Sequence, residues 1–145
     1  MIELTQKSAT PAPAVLRRLA SMVYELLLVT AVLFVAAFIY ILFRNPRVPG
    51  GMIFFQLYLL LVISAYFLWF WTHGGRTLAM KTWRLRLVSV TGSRVTTGQA
   101  LLRLVAAAVG IGCFGIGILW ALWDPDRQFL HDRLAGTRLV MAGAA

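Results

Sequence analysis

The chain has 145 residues and a net charge of +9, yet only 13% of it is charged while 60% is hydrophobic, with a mean hydropathy of +0.79. A soluble domain of this length carries about 25% charged residues, so composition excludes one and indicates a single membrane domain built from spans of about 20 residues. The basic residues sit beside hydrophobic runs, which points to lipid headgroups and to orientation in the bilayer rather than to nucleic acid.

Residues 1–13 are polar, hold two prolines and show no apolar periodicity, so they read as a flexible tail. The apolar run that follows is longer than the roughly 7–15 residues of a signal-peptide core. It ends in bulky residues and Arg44 and is expected to stay attached.

The first span is expected over about 15–43. Leu26–Phe43 is eighteen residues without a charge, enough to cross about 27 Å at 1.5 Å per residue. VLRRLASMVYE contains no breaker, so the helix should start several turns earlier and carry Arg17, Arg18 and Glu25. RNPRVPGG then makes a short loop.

A second span is expected over about 52–73, with Gln56 as its one strongly polar side chain and Trp69 and Trp71 placed for an interfacial aromatic belt. Gly74 and Gly75 stop it. In TWRLRLVSVTGSRVTT the period changes to two, and Thr91-Gly92 supplies a turn, which predicts a short β-hairpin. It must lie outside the hydrocarbon, where open strand edges are not tolerated.

The third apolar run, about 99–123, has an uncharged core at Leu104–Trp123 with Gly110, Gly112, Gly115 and Gly117 in its middle. It is long enough for a single crossing, and the glycines also allow a re-entrant hairpin. Cys113 lies inside this run, so neither a disulfide framework nor a Cys-based metal site is expected. Asp124-Pro125 ends the run, an amphipathic turn follows, and Thr137–Met141 is a candidate strand that could pair with Arg84–Val90 if both lie on one side. The expected fold class is therefore an all-α membrane bundle. It holds two transmembrane helices, a third hydrophobic segment that spans or re-enters, and a cytoplasmic β-hairpin between segments two and three.

Charge sets the orientation. Lys7, Arg17 and Arg18 precede the first span, and Arg76, Lys81, Arg84, Arg86, Arg94 and Arg103 follow the second, while the loop between holds only Arg44 and Arg47. The positive-inside rule places the N-terminus in the cytoplasm. Arg127, Arg133 and Arg138 join the majority side if the third run bends back and oppose it if the run crosses. Charge thus tips the C-terminus toward the cytoplasm, against the length of the run.

Polar residues within apolar runs are functional candidates. Arg18 and Glu25 are seven apart and share a helix face, with Glu25 about 10 Å further along. A carboxylate there needs a partner, a proton or water, and the cations within reach in sequence terms are Arg103 and, through water, Arg18. Glu25 is either an ion or proton site or a structural salt bridge or hydrogen-bonded acid. His131-Asp132 is either a base or ligand pair or a device that ends a helix and tethers the tail. With no second His and no Cys nearby, it makes no metal site.

Four features occur in order: Arg17-Arg18-Leu19-Ala20 with Glu25, Gly75-Arg76-Thr77-Leu78 with Lys81, Arg103, and His131-Asp132 leading to Ala135-Gly136-Thr137. Together they resemble the RDD family of bacterial membrane proteins from about residue 14 to 141. The family is named for one arginine and two aspartates. The resemblance implies Arg18 for the arginine, Asp132 for the later aspartate, and Glu25 in place of the earlier one. It also implies a multi-pass protein of the bacterial inner membrane with transport of some ligand proposed.

The expected function is transport of an ion, proton or small solute by an oligomer, using Arg18, Glu25, Arg103, His131 and Asp132. The alternative is a non-catalytic accessory or scaffold subunit of a larger membrane complex. No nucleophile motif, phosphate loop or paired catalytic carboxylates occur, so neither an enzyme nor a cofactor is expected. The expected partners are anionic lipid headgroups and further protein subunits.

Overall fold

A computed structural model describes residues 13–44, 47–125 and 127–143. All but Pro13 of the expected tail lies outside these residues. The unbroken apolar sequence gives α1 (Val15–Phe43), and after a left-handed Gly50 (φ 76°) a second long helix, α2 (Gly51–Thr72). These two helices reverse the burial of a soluble protein. In α1 the buried residues are Arg18, Ser21 and Ala36, and in α2 only Gly51 and Trp71. Phe34 (75% exposed) and Leu61 (68%) face outward with most of their apolar neighbours, surface that water would penalise at about 25 cal/mol per Å².

The packed core lies beyond the end of α2. Gly74 and Gly75 break that helix in left-handed conformations, and Thr77 caps the short α3 (Leu78–Thr82) by accepting from Met80 N at 3.3 Å. β1 (Leu85–Ser89) follows, with Leu85, Leu87 and Ser89 buried in strict alternation. The predicted hairpin across Thr91-Gly92 does not form. Ser89 N bonds Ser93 O at 3.0 Å to close the turn, and the chain then enters a helix, α4 (Thr97–Gly112). The reason is local: Thr96 and Gln99 form a reciprocal capping box, Gln99 N to Thr96 Oγ1 at 3.2 Å and Thr96 N to Gln99 Oε1 at 3.1 Å, which starts a helix where a second strand would have run.

The partner of β1 is β2 (Thr137–Met141), antiparallel, with Leu87 opposite Leu139 and Ser89 opposite Thr137. The inner face of this pair packs with Trp71, Met80, Val95 and Ala100. Gly75 fixes the sheet against the helical hairpin. Its carbonyl accepts from Leu87 N at 2.7 Å, and a Cβ there would collide with the Leu87 carbonyl. Trp69 is exposed (61%), whereas Trp71 is buried (5%) and belongs to the core rather than to an outward-facing aromatic pair.

The third apolar run is α4 followed by α5 (Ile116–Leu119) and one 3₁₀ turn at Trp120–Leu122, bent by 104°. Phe114 (φ 58°) and Gly115 (φ 75°) make the bend. Gly110 and Gly117 let the two arms touch backbone to backbone, since a Cβ on Gly110 would lie 3.2 Å from Gly117 Cα. α6 (Leu130–Leu134) then leads into β2. Because β2 pairs with β1, the chain after the bent run returns to the strand that precedes it. Arg17 Nη1 meets Met141 Sδ at 3.4 Å, which sets the start of α1 beside β2.

Candidate functional site

The polar candidates gather at this end in three groups. The first is built on Glu25, on the buried side of α1. Its Oε1 accepts from Tyr66 Oη of α2 at 2.8 Å, and its Oε2 accepts from the Thr77 hydroxyl. Thr77 is fully buried and caps α3 with the same oxygen. Among the described residues no cation pairs with Glu25. The expected partners are both committed elsewhere, because Arg103 binds Asp132 and Arg18 turns to a main-chain carbonyl.

The second group is that ion pair. Arg103, one turn after Gln99 on α4, forms a salt bridge with Asp132 of α6, their side chains 5% and 0% exposed. Arg103 Nη1 also reaches Thr137 Oγ1 at 3.4 Å, and its guanidinium lies 4.9 Å from the Trp71 ring centroid, a cation–π distance. Gln99 Nε2 donates to Ser89 Oγ at 3.1 Å and to the Gly136 carbonyl at 3.3 Å, so one helix face anchors both strands and α6. Asp132 thus binds an arginine of α4 rather than one of the basic strand β1.

His131 closes this group. Its Nε2 is 3.7 Å from Asp132 Oδ1, and its ring stacks on Phe129 at 5.5 Å. Burial, and then the charge of Arg103, push its pKa from 6.5 down to about 3. The ring is therefore neutral at neutral pH. An unfolded chain binds this proton near pH 6.5 and the folded one does not, so stability present above about pH 6.5 is lost as the pH falls toward 3. Melting temperatures in detergent should decline from about pH 6.5 to 5, and His131→Gln should flatten that decline.

The third group is Arg18, 1% exposed, whose Nη1 donates to the Arg127 carbonyl and whose guanidinium lies 6.0 Å from the Phe129 ring centroid. Phe129 thus sits between Arg18 and His131. Arg18 and Glu25 share the helix face that their spacing predicts, but they do not pair.

Sequence reasoning missed Tyr66, Phe129 and the roles of Thr77, Thr137 and Trp71. A hydroxyl inside a strongly apolar span was the available signal for Tyr66. The two threonines stood in the quoted G-x-T-L and A-G-T motifs without a contact to explain them.

The sequence model of the RDD family matches residues 12–136. Over 82 residues the chain is 39% identical to an uncharacterized protein of Rickettsia prowazekii (strain Madrid E), covering 56% of this chain and 45% of that one. The chain thus spans about half the length of this curated relative. No solved structure matches.

Proposed function

The chain belongs to the RDD family, and for this membrane protein we propose transport of a proton, a monovalent cation or a small solute, with Glu25 as the exchanging group. The observation that carries the reading is that Glu25 is held by two hydroxyls and by no cation among the described residues. An ionised acid inside an apolar helix costs roughly 2.5–3.5 kcal/mol, and the Tyr66 and Thr77 hydroxyls offset only part of that. The remainder falls to a bound proton or cation. Four oxygens from α1, α2 and the segment before α3 suit a hard ion.

In this reading α1 and α2 cross the bacterial inner membrane, and the bent α4–α5 run re-enters without crossing. Every described basic residue except Arg44 and Arg47 then lies on the cytoplasmic side, which satisfies the positive-inside rule better than a third crossing would. Reporters fused before Lys7, within Thr91–Ser93 and after Ala145 should all read cytoplasmic, and one in the loop between α1 and α2 periplasmic. A periplasmic signal after Ala145 would sink the re-entrant topology.

Two spans and one re-entrant arm are few for a solute path, so the transporting unit is an oligomer joined through the outward apolar faces of α1 and α2. Its basic end rests on anionic headgroups. Purified protein in liposomes should move protons when a gradient of sodium or potassium is imposed. Liposomes that remain as tight as empty ones would favour the accessory-subunit reading.

A further inference from the structure

A cavity of about 380 Å³ lies between the end of α2, the β1–β2 pair and the loop after β1. Arg76, Arg86, Arg94 and Arg138 all line it, with Trp71 and Ser93 in its wall. The sheet register explains two of them. Leu85, Leu87 and Leu139 point into the core, so Arg86 and Arg138 point away from it on the opposite face. Arg86 stands opposite Val140 and Arg138 opposite Val88, a diagonal placement with roughly 7–8 Å between positions. Arg76 follows the glycine that grips β1, and Arg94 follows the turn after it, so the loops bring two more guanidinium groups to the rim.

No carboxylate lines this cavity. The described carboxylates are engaged elsewhere: Glu25 by Tyr66 and Thr77, Asp124 by Arg133, and Asp132 by Arg103. The Nε atoms of Arg86 and Arg138 are buried and meet no acceptor. Like charges held together without a counter-charge repel, and a guanidinium fork is matched by the oxygens of a phosphate. We propose that this cavity binds a phosphate group, with Arg86 and Arg138 as its floor and Arg76 and Arg94 closing over it. A phosphate has enough oxygens to accept from several guanidinium groups arriving from different directions, which a planar carboxylate does less well. The bearer is either an anionic lipid headgroup, since Trp71 and Thr72 end the second span at this level, or a soluble phosphate compound. The site is separate from Glu25 and stands whether or not Glu25 carries an ion.

The test is a titration of the full chain in uncharged detergent, followed by Trp fluorescence and native mass spectrometry. One arm uses short-chain phosphatidylglycerol, one inorganic phosphate, and one short-chain diacylglycerol as a control that carries no phosphate. Saturable binding of the first alone assigns a lipid headgroup, and binding of inorganic phosphate assigns a soluble ligand. Arg86→Gln/Arg138→Gln should weaken binding by about tenfold or more for each arginine lost, while Arg44→Gln/Arg47→Gln, with the same change in charge at the other end, should leave it unchanged. Arg94→Gln, exposed and outside the sheet, supplies the same readout if the double variant fails to fold. No saturable binding in either phosphate arm would overturn the proposal. So would equal binding of the diacylglycerol, or equal weakening by the Arg44/Arg47 pair.

Discussion

Glu25→Gln should fold normally yet abolish cation-driven proton movement in liposomes. The amide is isosteric with the carboxylic acid, and its oxygen can still accept from the Tyr66 or Thr77 hydroxyl that now holds Glu25. Removing the negative charge leaves no buried cation unpaired, because Arg18 and Arg103 have other partners. A salt-bridging carboxylate would behave in the opposite way, since its loss strands a charge and destabilises the protein. Unchanged melting with flux reduced to the level of empty liposomes is therefore the expected pair of results. Glu25→Asp keeps the charge on a shorter stem and should retain part of the activity. Tyr66→Phe removes one of the two donors and should lower flux less than Glu25→Gln does. Full flux in Glu25→Gln would eliminate this carboxylate as the transport site.

Asp132→Asn should produce the largest loss of stability. Asp132 and Arg103 are both buried, and neutralising the acid leaves a guanidinium in the core with only Thr137 Oγ1 and the face of Trp71 for compensation. Breaking a buried pair from one side costs roughly 3–5 kcal/mol, a large fraction of the 5–15 kcal/mol that holds a typical domain together. Asp124→Asn breaks the other described ion pair, but its partner Arg133 is 46% exposed and can return to water, so the loss there should be much smaller. The double variant Arg103→Gln/Asp132→Asn should recover part of the loss, as coupled residues do in a mutant cycle. Equal melting temperatures for the Asp124 and Asp132 variants would show that burial of the pair does not matter. A second readout separates structure from function: if Asp132 acts only through Arg103, the double variant should also regain flux.

The two long helices were legible in the sequence because hydrophobic length is additive along the chain. Eighteen uncharged residues from Leu26 to Phe43 need no partner to be recognised, and the breaks at Gly50, Gly74 and Gly75 are conformational properties of glycine itself. The motifs from Arg18 to Thr137 likewise identified the family without coordinates. The partner of β1 was not legible. Period-two alternation marks a strand without saying what it pairs with, and a near turn at Thr91-Gly92 competed with Thr137–Met141 far along the chain. The Thr96–Gln99 capping box decided it by committing the intervening residues to a helix.

That single pairing also requires the bend in the third run, because β2 can reach β1 only if the chain turns back at Phe114 and Gly115. The partners of the buried charges were hidden for the same reason. Sequence spacing placed Arg18 and Glu25 on one helix face but could not show that Tyr66 and Thr77 approach Glu25 from other elements, or that α6 carries Asp132 to Arg103. Composition and periodicity therefore determined which segments are long and apolar enough to cross a membrane and where the charges lie along the chain. Which charge meets which partner was decided only when α4, α6 and the sheet packed against the end of the helical hairpin, since a buried ion selects its partner by distance in space and not by distance along the chain.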